Sequence, residues 1–255
     1  MRLRQVAFIA RELQPIADQL GAVFGLKVGF RDPGVEYFGL NNVVMPVGGE
    51  FLEVVAPFRD DASGARYLAR RGGDAGYMVI LQDADALAHR ARIEALGARI
   101  IARSPSDTYR YTHFHPADCA GVLLSLDSVE GDAGWREPKS EWPPAGPDWR
   151  QHQSAEALGI ASVTLQSRDP LAACERWSVL LDRPATRRGE ALEIALERGV
   201  IRFVAPVDND GTGVVGLDIA VADGDAALDR ARAACLPVAG GAVQICGVAV
   251  RPVAD

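Results

Sequence analysis

The sequence predicts an α+β fold in which four βαβββ modules form two paired, cup-shaped mixed β-sheets with flanking helices. An internal repeat is the first observation behind this. The chain reads GYMVILQDADALAHRARIEALG from Gly76 and GLDIAVADGDAALDRARAACLP from Gly216. An ungapped shift of 140 residues lays Gly76 on Gly216, Asp83 on Asp223, Asp85 on Asp225 and Arg90-Ala91-Arg92 on Arg230-Ala231-Arg232. Self-similarity at a fixed offset marks a duplicated supersecondary unit. The second observation is a joint near the middle, 135–153, which holds Trp135, Trp142 and Trp149 among Pro138, Pro143, Pro144 and Pro147. So many prolines exclude a regular helix or a central strand, and such segments separate folding units.

The repeated copies share one grammar. A short apolar run ends at an aspartate whose carboxylate can accept from the unpaired first-turn N–H groups of a helix. In the second module that helix carries Ala84, Leu87, Ala88, Ala91, Ala95 and Leu96 as an apolar stripe, with Gly97 placed to end it. Short apolar runs follow at 99–102, 109–115 and 121–127, separated by turn residues. The first module repeats the pattern with a strand over 5–10, a helix over 12–24 and strands over 37–40, 42–47 and 50–56. In the third, a strand over 160–166 leads through Asp169-Pro170, a cap followed by a first-position proline, into a helix over 171–181. Strands over 191–197 and 200–205 complete it, and its ending Val204-Ala205-Pro206 matches Val55-Ala56-Pro57. The modules fall at 3–57, 75–128, 159–206 and 214–253. The expected division is a first domain over 1–130, a Pro/Trp-rich linker over 131–157 and a second domain over 158–255. The three tryptophans either anchor an extended strap on a sheet or dimer face or form a lid over a ligand.

Composition narrows the function classes. The chain has 255 residues, 48% of them hydrophobic, and 34 acidic against 27 basic residues for a net charge of −7. That charge has the wrong sign for a protein whose main partner is a phosphate backbone, so no nucleic acid is expected. No run approaches the roughly 20 apolar residues of a membrane helix, and the start of the chain lacks the long apolar region of a signal peptide. No membrane partner and a cytoplasmic location are expected. Cys119, Cys174, Cys235 and Cys246 are scattered without a C-x-x-C pair, so they read as small core side chains. The only lysines are Lys27 and Lys139, a bias that a GC-rich bacterial genome accounts for.

Four such modules in tandem pairs resemble the vicinal oxygen chelate (VOC) superfamily, which includes glyoxalase I, bleomycin-resistance, methylmalonyl-CoA epimerase and extradiol dioxygenase families. The resemblance covers nearly the whole chain. It implies a divalent metal in each cup, held by a His or Gln from the first strand and a Glu from the last strand of each module. In the first pair those positions fall on Gln5, Glu53, Gly76 and Ser125, and in the second on Ser162, Arg202, Gly216 and Arg251. Glycine offers no donor atom, serine is a poor ligand and arginine repels a cation. Gln5 and Glu53 alone give two ligands where catalytic metals usually have at least three from the protein. The implied cofactor is therefore none or a weakly held divalent metal.

Other side chains suggest what else the cups could do. Period-two geometry over 109–115 puts Tyr109, Tyr111, His113 and His115 on one strand face, two phenols and two imidazoles able to donate or accept protons. The stretch His115-Pro116 followed by Gly121-Val122-Leu123 also looks like part of methylmalonyl-CoA epimerase. Glu53, flanked by Phe51, Leu52, Val54 and Val55, is a carboxylate in an apolar strand that needs either a partner or a role. Catalysis would then rest on Glu53, His113 and His115, with Tyr109, Tyr111, Ser125, Arg202 and Arg251 as substrate contacts. Two functions compete. One is a bleomycin-resistance-like protein that encloses a small organic molecule without transforming it. The other is a metal-dependent lyase, isomerase or dioxygenase working through Gln5 and Glu53. A homodimer is possible in either case.

Overall fold

A computed structural model of the chain describes residues 1–208 and 211–254. It contains fifteen strands and five α-helices among the described residues. The first half runs β1 (Arg2–Ile9), α1 (Leu13–Phe24), β2 (Leu40–Val47), β3 (Glu50–Pro57), α2 (Ser63–Arg71), β4 (Ala75–Gln82), α3 (Ala86–Ala95), β5 (Ile100–Arg103), β6 (Tyr109–Phe114) and β7 (Leu123–Val129). The second half runs β8 (Ala157–Ser167), α4 (Pro170–Leu181), β9 (Ala185–Arg188), β10 (Ala191–Ala195), β11 (Val200–Val204), β12 (Thr212–Val221), α5 (Gly224–Ala233), β13 (Val238–Ala239), β14 (Ala242–Ile245) and β15 (Val248–Val253). These strands make two mixed sheets, ordered β2-β3-β1-β4-β7-β6-β5 and β13-β14-β15-β12-β8-β11-β10-β9. The α+β class and the two-sheet architecture are as the sequence predicts.

The second, third and fourth modules are complete βαβββ units. The first is not, because the strand expected over 37–40 is a 3-10 turn, Pro33–Phe38. The Asp32 carboxylate accepts from Gly34 N, proline occupies the first turn, and Gly39 takes φ 73°, so the chain bends where a strand would continue. A single antiparallel bridge, Phe30 to Val44, stands in for the missing strand.

Helix caps give the true register of the repeat. Asp85 caps α3, accepting from Leu87 N and Ala88 N at 3.0 and 3.1 Å, and Asp223 caps α5, accepting from Ala226 N at 2.9 Å. The residues just past the two helices, Gly97 and Cys235, both have positive φ. Start and stop therefore agree on an offset of 138 residues (223 less 85), not 140. The identities at 140 pair Gly76 with Gly216, Asp83 with the cap Asp223 and the cap Asp85 with Asp225, together with the Arg-Ala-Arg runs inside the helices, and so do not match cap with cap. Accordingly α3 buries Ala86 and Ile93, whereas Leu87 and Leu96 of the expected stripe are exposed.

The chain divides into two compact units, Met1–Gln5 with Tyr77–Glu141 and Ser162–Val215, and Val6–Gly76 with Trp142–Ala161 and Gly216–Asp255. Each joins two modules through a guanidinium at a helix C-terminus, where carbonyls lack intrahelical partners. In the first, Arg92 of α3 donates to Val179 O at 2.8 Å and to Leu180 O, near the end of α4. In the second, Arg230 of α5 donates to Val23 O at 2.9 Å, near the end of α1. Arg92 and Arg230 occupy the same position under the 138-residue offset, so the duplication extends to how modules pair. Glycine is required at one such junction: a Cβ on Gly247, at φ 68°, would stand 2.3 Å from Asp74 O.

The Trp-rich segment is a buried strap. Trp135, Trp142 and Trp149 are each at most 3% exposed. Trp142 stacks on Phe51 with ring centroids 6.3 Å apart, and Trp149 meets the same ring edge-on at 5.0 Å. Phe51 and Glu53 are two residues apart on β3, so these indoles cover the strand face from which Glu53 projects. Ahead of them, Arg2 and Arg4 are fully buried and donate to strap carbonyls, Arg2 to Trp135 O and Glu137 O and Arg4 to Ser140 O.

Candidate ligand site on the second module

Counting from the helix caps shows where the positions at which the resemblance would place metal ligands fall in each module. The first-strand positions lie seven residues before the caps Glu12, Asp85, Asp169 and Asp223, on Gln5, Met78, Ser162 and Gly216. Gly76 is thus replaced by Met78, while the other three assignments keep their places. The last-strand positions agree, since Ser125 pairs with Ile80, Arg202 with Thr164 and Arg251 with Asp218, each partner five residues before its cap.

The donors at these positions do not fit a catalytic divalent ion. Glu53 is 6% exposed, and its Oε1 accepts from Asn42 Nδ2 at 2.6 Å. Asn42 is itself held, its Oδ1 accepting from Asp32 N at 2.8 Å. Gln5, 2% exposed on β1, is one amide, and Met78 offers only a thioether. Arg202 donates to Glu193 Oε1 at 2.8 Å and to Ser162 Oγ at 2.7 Å, and Arg251, half exposed, lies 3.9 Å from Asp218. Each arginine therefore faces a carboxylate of its own sheet. Among the described residues no group of three or more His, Cys, Asp or Glu side chains could hold a metal.

A different constellation gathers on the second module. Residues paired across neighbouring strands share a sheet face. The register sets Tyr111 beside Asp127 and Asp127 beside Gln82, one row across β6, β7 and β4. The next row is His113, Ser125 and Ile80. Tyr109 lies on the same face of β6, whereas Thr112 is on the other, where Arg90 of α3 donates to its Oγ1 at 2.7 Å. The polar rows thus look away from α3.

Asp127 is the centre of this face. It is 1% exposed, its Oδ2 accepts from Tyr109 Oη at 2.5 Å, and its Oδ1 is bonded to Ser125 Oγ. Burial pushes its carboxyl up to about 7, against the pull of the Ser125 and Tyr109 hydroxyls. Ser125 Oγ also lies 3.3 Å from Thr112 O. Its single proton can point to Asp127 when that group is a carboxylate, or to Thr112 when Asp127 is protonated and donates to the serine. Both protonation states are accommodated by turning one hydroxyl. His113 lies against Tyr111 with ring centroids 4.7 Å apart and planes tilted by 33°, and burial holds its imidazole down at about 4, so it is neutral at physiological pH.

Gln82 completes the row. It is fully buried, and neither its Oε1 nor its Nε2 has a hydrogen-bond partner. Such orphaned groups are uncommon in folded interiors and call for an explanation.

His115 does not join this face. The strand ends at Phe114, and His115 caps the turn Pro116–Asp118, its Nδ1 accepting from Ala117 N at 3.1 Å with Arg99 Nη2 at 3.2 Å. The alternation that would place it beside His113 stops one residue too early. Sequence reasoning passed over Asp127 and Gln82. A usable signal was present in Leu123-Leu124-Ser125-Leu126-Asp127, where two polar residues alternate with leucines in the same period as Tyr109, Tyr111 and His113.

No protein-family model matches the chain, and no curated protein matches it. Solved structures do. A triple mutant of 4-hydroxymandelate synthase from Streptomyces coelicolor aligns over 90% of this chain and 74% of its own, with a TM-score of 0.67 and 17% identity. Methylmalonyl-CoA epimerase from Streptomyces coelicolor aligns over 51% of this chain and 99% of its own at 22% identity and a TM-score of 0.47. The epimerase from Mycobacterium tuberculosis aligns over 50% of this chain and 87% of its own at 20% identity and a TM-score of 0.46. The first of these likenesses, together with the repeated modules and their two mixed sheets, establishes that the chain has the vicinal oxygen chelate fold in a tandem, four-module form.

Proposed function

We propose that this protein binds a small, uncharged organic molecule on the second module's polar face, and does so without a resident metal. In this reading the first domain, 1–130, carries the site. The observation that supports it above all is the row Tyr111–Asp127–Gln82: a buried carboxyl held by two hydroxyls, next to a buried amide with no partner. Burying polar groups costs free energy unless hydrogen bonds offset it, so a ligand that bonds to them gains affinity from that imbalance. The partly exposed rings of Tyr109, Tyr111 and His113 supply the flat, amphipathic walls typical of small-molecule sites. The inherited positions argue against an ion for the reasons of donor chemistry given above.

Screening a library of uncharged ring compounds by thermal shift, in the presence of a chelator, tests this. Compounds that stabilise the chain should also perturb the ring signals of His113 and Tyr111, and Asp127→Asn should weaken them. Stabilisation that appears only on adding Zn²⁺, Mn²⁺ or Fe²⁺, or that leaves those rings unperturbed, would contradict the proposal.

A further inference from the structure

Resting on that reading, we infer the recognised chemistry: a planar, uncharged ring bearing a donor and an acceptor side by side on one edge, as in a lactam or imide. The ring N–H donates to Asp127, and the adjacent carbonyl accepts from Gln82 Nε2. Three observations carry this.

The first is register. Asp127 and Gln82 are direct partners in a parallel pair, so their side chains rise from one face at the strand spacing of about 4.8 Å. The two are not bonded to each other, since the Gln82 amide has no partner. The pair offers an acceptor and a donor in adjacent positions, the complement of a cis-amide edge.

The second is an internal control. Gln166 stands in the third module where Gln82 stands in the second, three residues before the helix cap and opposite the last strand. There the same side chain is fully satisfied: its Oε1 accepts from Val207 N at 2.8 Å and its Nε2 donates to Asp208. Its cross-strand neighbour is Val204 rather than an aspartate. Where the glutamine clips a loop, the neighbouring position is apolar. Where the neighbour is Asp127, the glutamine clips nothing.

The third is charge. The side chains in the two rows around Asp127 on β6, β7 and β4 are Tyr109, Tyr111, His113, Ser125, Ile80 and Gln82, and burial keeps the His113 imidazole neutral. Arg90 and Arg110 belong to the opposite face, with Arg90 on Thr112 and Arg110 ion-paired with Glu130. Among the described residues of β6 and β7 this face offers a carboxylate or phosphate no cation, whereas an uncharged donor–acceptor edge finds both complements in Asp127 and Gln82. Tyr111 and His113, whose ring centroids lie 4.7 Å apart, supply the aromatic surface beside the pair.

Titrating 2-pyridone and N-methyl-2-pyridone into the full chain, followed by the His113 and tyrosine ring signals, tests this. The unmethylated lactam should shift those signals saturably. Blocking the N–H should weaken binding by about tenfold, the worth of one hydrogen bond near 1.4 kcal/mol. Gln82→Met, with Gln82→Leu as a second variant, should weaken 2-pyridone to a similar extent while the chain stays folded. Equal binding of the two pyridones, or unchanged binding by both Gln82 variants, overturns the inference and leaves small-molecule binding at this face standing. If neither compound perturbs the rings, the inference also falls, and the outcome of the fragment screen decides the broader proposal separately.

Discussion

Replacing Gln82 by methionine should make the protein more stable. The side chain is fully buried, and both amide atoms lack partners. An unsatisfied buried polar group costs about 1–3 kcal/mol, and a thioether of nearly the same length removes that cost without opening a cavity. A gain of at least about 1 kcal/mol is expected, which for a chain of this size raises Tm by roughly 2–4 °C. The natural comparison is Gln166→Met. There the substitution strands Val207 N and the Asp208 carboxylate, so stability should fall by about 1–3 kcal/mol. Urea unfolding followed by tryptophan fluorescence gives both values as changes in midpoint, provided the slope stays constant. The same chemical change at equivalent positions is thus expected to have opposite signs. A loss of stability in Gln82→Met comparable to that of Gln166→Met would refute the reasoning, because it would mean that the Gln82 amide is already bonded.

Further outcomes follow from the same contacts. Asp127 has a folded-state pKa of about 7 against an ordinary 3.8, so between those values the folded state keeps a proton the unfolded state has lost. Its contribution is full below pH 4 and is lost as pH rises through 7, on the order of 4 kcal/mol, and Asp127→Asn should flatten that decline in pH-dependent unfolding. His113 acts in the other direction: with its folded pKa near 4 against 6.5, stability is lost as pH falls through that window, and His113→Phe should abolish this acid-side loss. Trp142→Ala should cost about 3–5 kcal/mol, measured by urea unfolding, because the indole is buried against Phe51. A double-mutant cycle on Glu193 and Arg202 should return a coupling of about 1 kcal/mol that shrinks in high salt.

Much of the architecture was legible because periodicity and capping act locally. The aspartate-then-helix grammar gave the strand–helix starts of the second, third and fourth modules, while α1 follows Glu12, which makes no side-chain cap; Gln5, Ser162 and Gly216 each sit seven residues before a helix cap position. What failed depended on choices that local pattern leaves open. Asp83 and Asp85 are both able to cap, and only the structure shows that Asp85 does. That two-residue ambiguity moved the repeat from 138 to 140, so Gly76 was aligned where Met78 stands seven residues before the cap. His115 was misplaced because alternation cannot reveal where a strand stops. The candidate site was half legible: Tyr109, Tyr111, His113 and Ser125 come from one hairpin, but the row through Asp127 to Gln82 joins strands whose pairing is non-local. A parallel register between β4 and β7 is set by the crossover packing of α3, which no single stretch of sequence encodes.

The duplication also indicates why the ligand site should be sought in one module only. Two residues beyond the inherited last-strand position the four modules carry Val55, Asp127, Val204 and Val253, so a single module has a polar group there. The residues three before the caps are Ile9, Gln82, Gln166 and Ala220, and of the two glutamines only Gln82 lacks partners. Valine at the first position and an apolar or fully bonded residue at the second are what stability alone favours. The second module departs at both positions at once, and they are cross-strand neighbours. Two independent concessions of stability on adjacent strands would be cumulative, and a chain has little margin to carry them without compensation. The proposed ligand binding would compensate for both, whereas Ser125 and Arg202, at the positions where the resemblance would place metal ligands, are bonded within their own sheets. In the proposed reading the ligand face is therefore centred on Asp127, two residues along β7 from Ser125, where the resemblance would place a metal ligand.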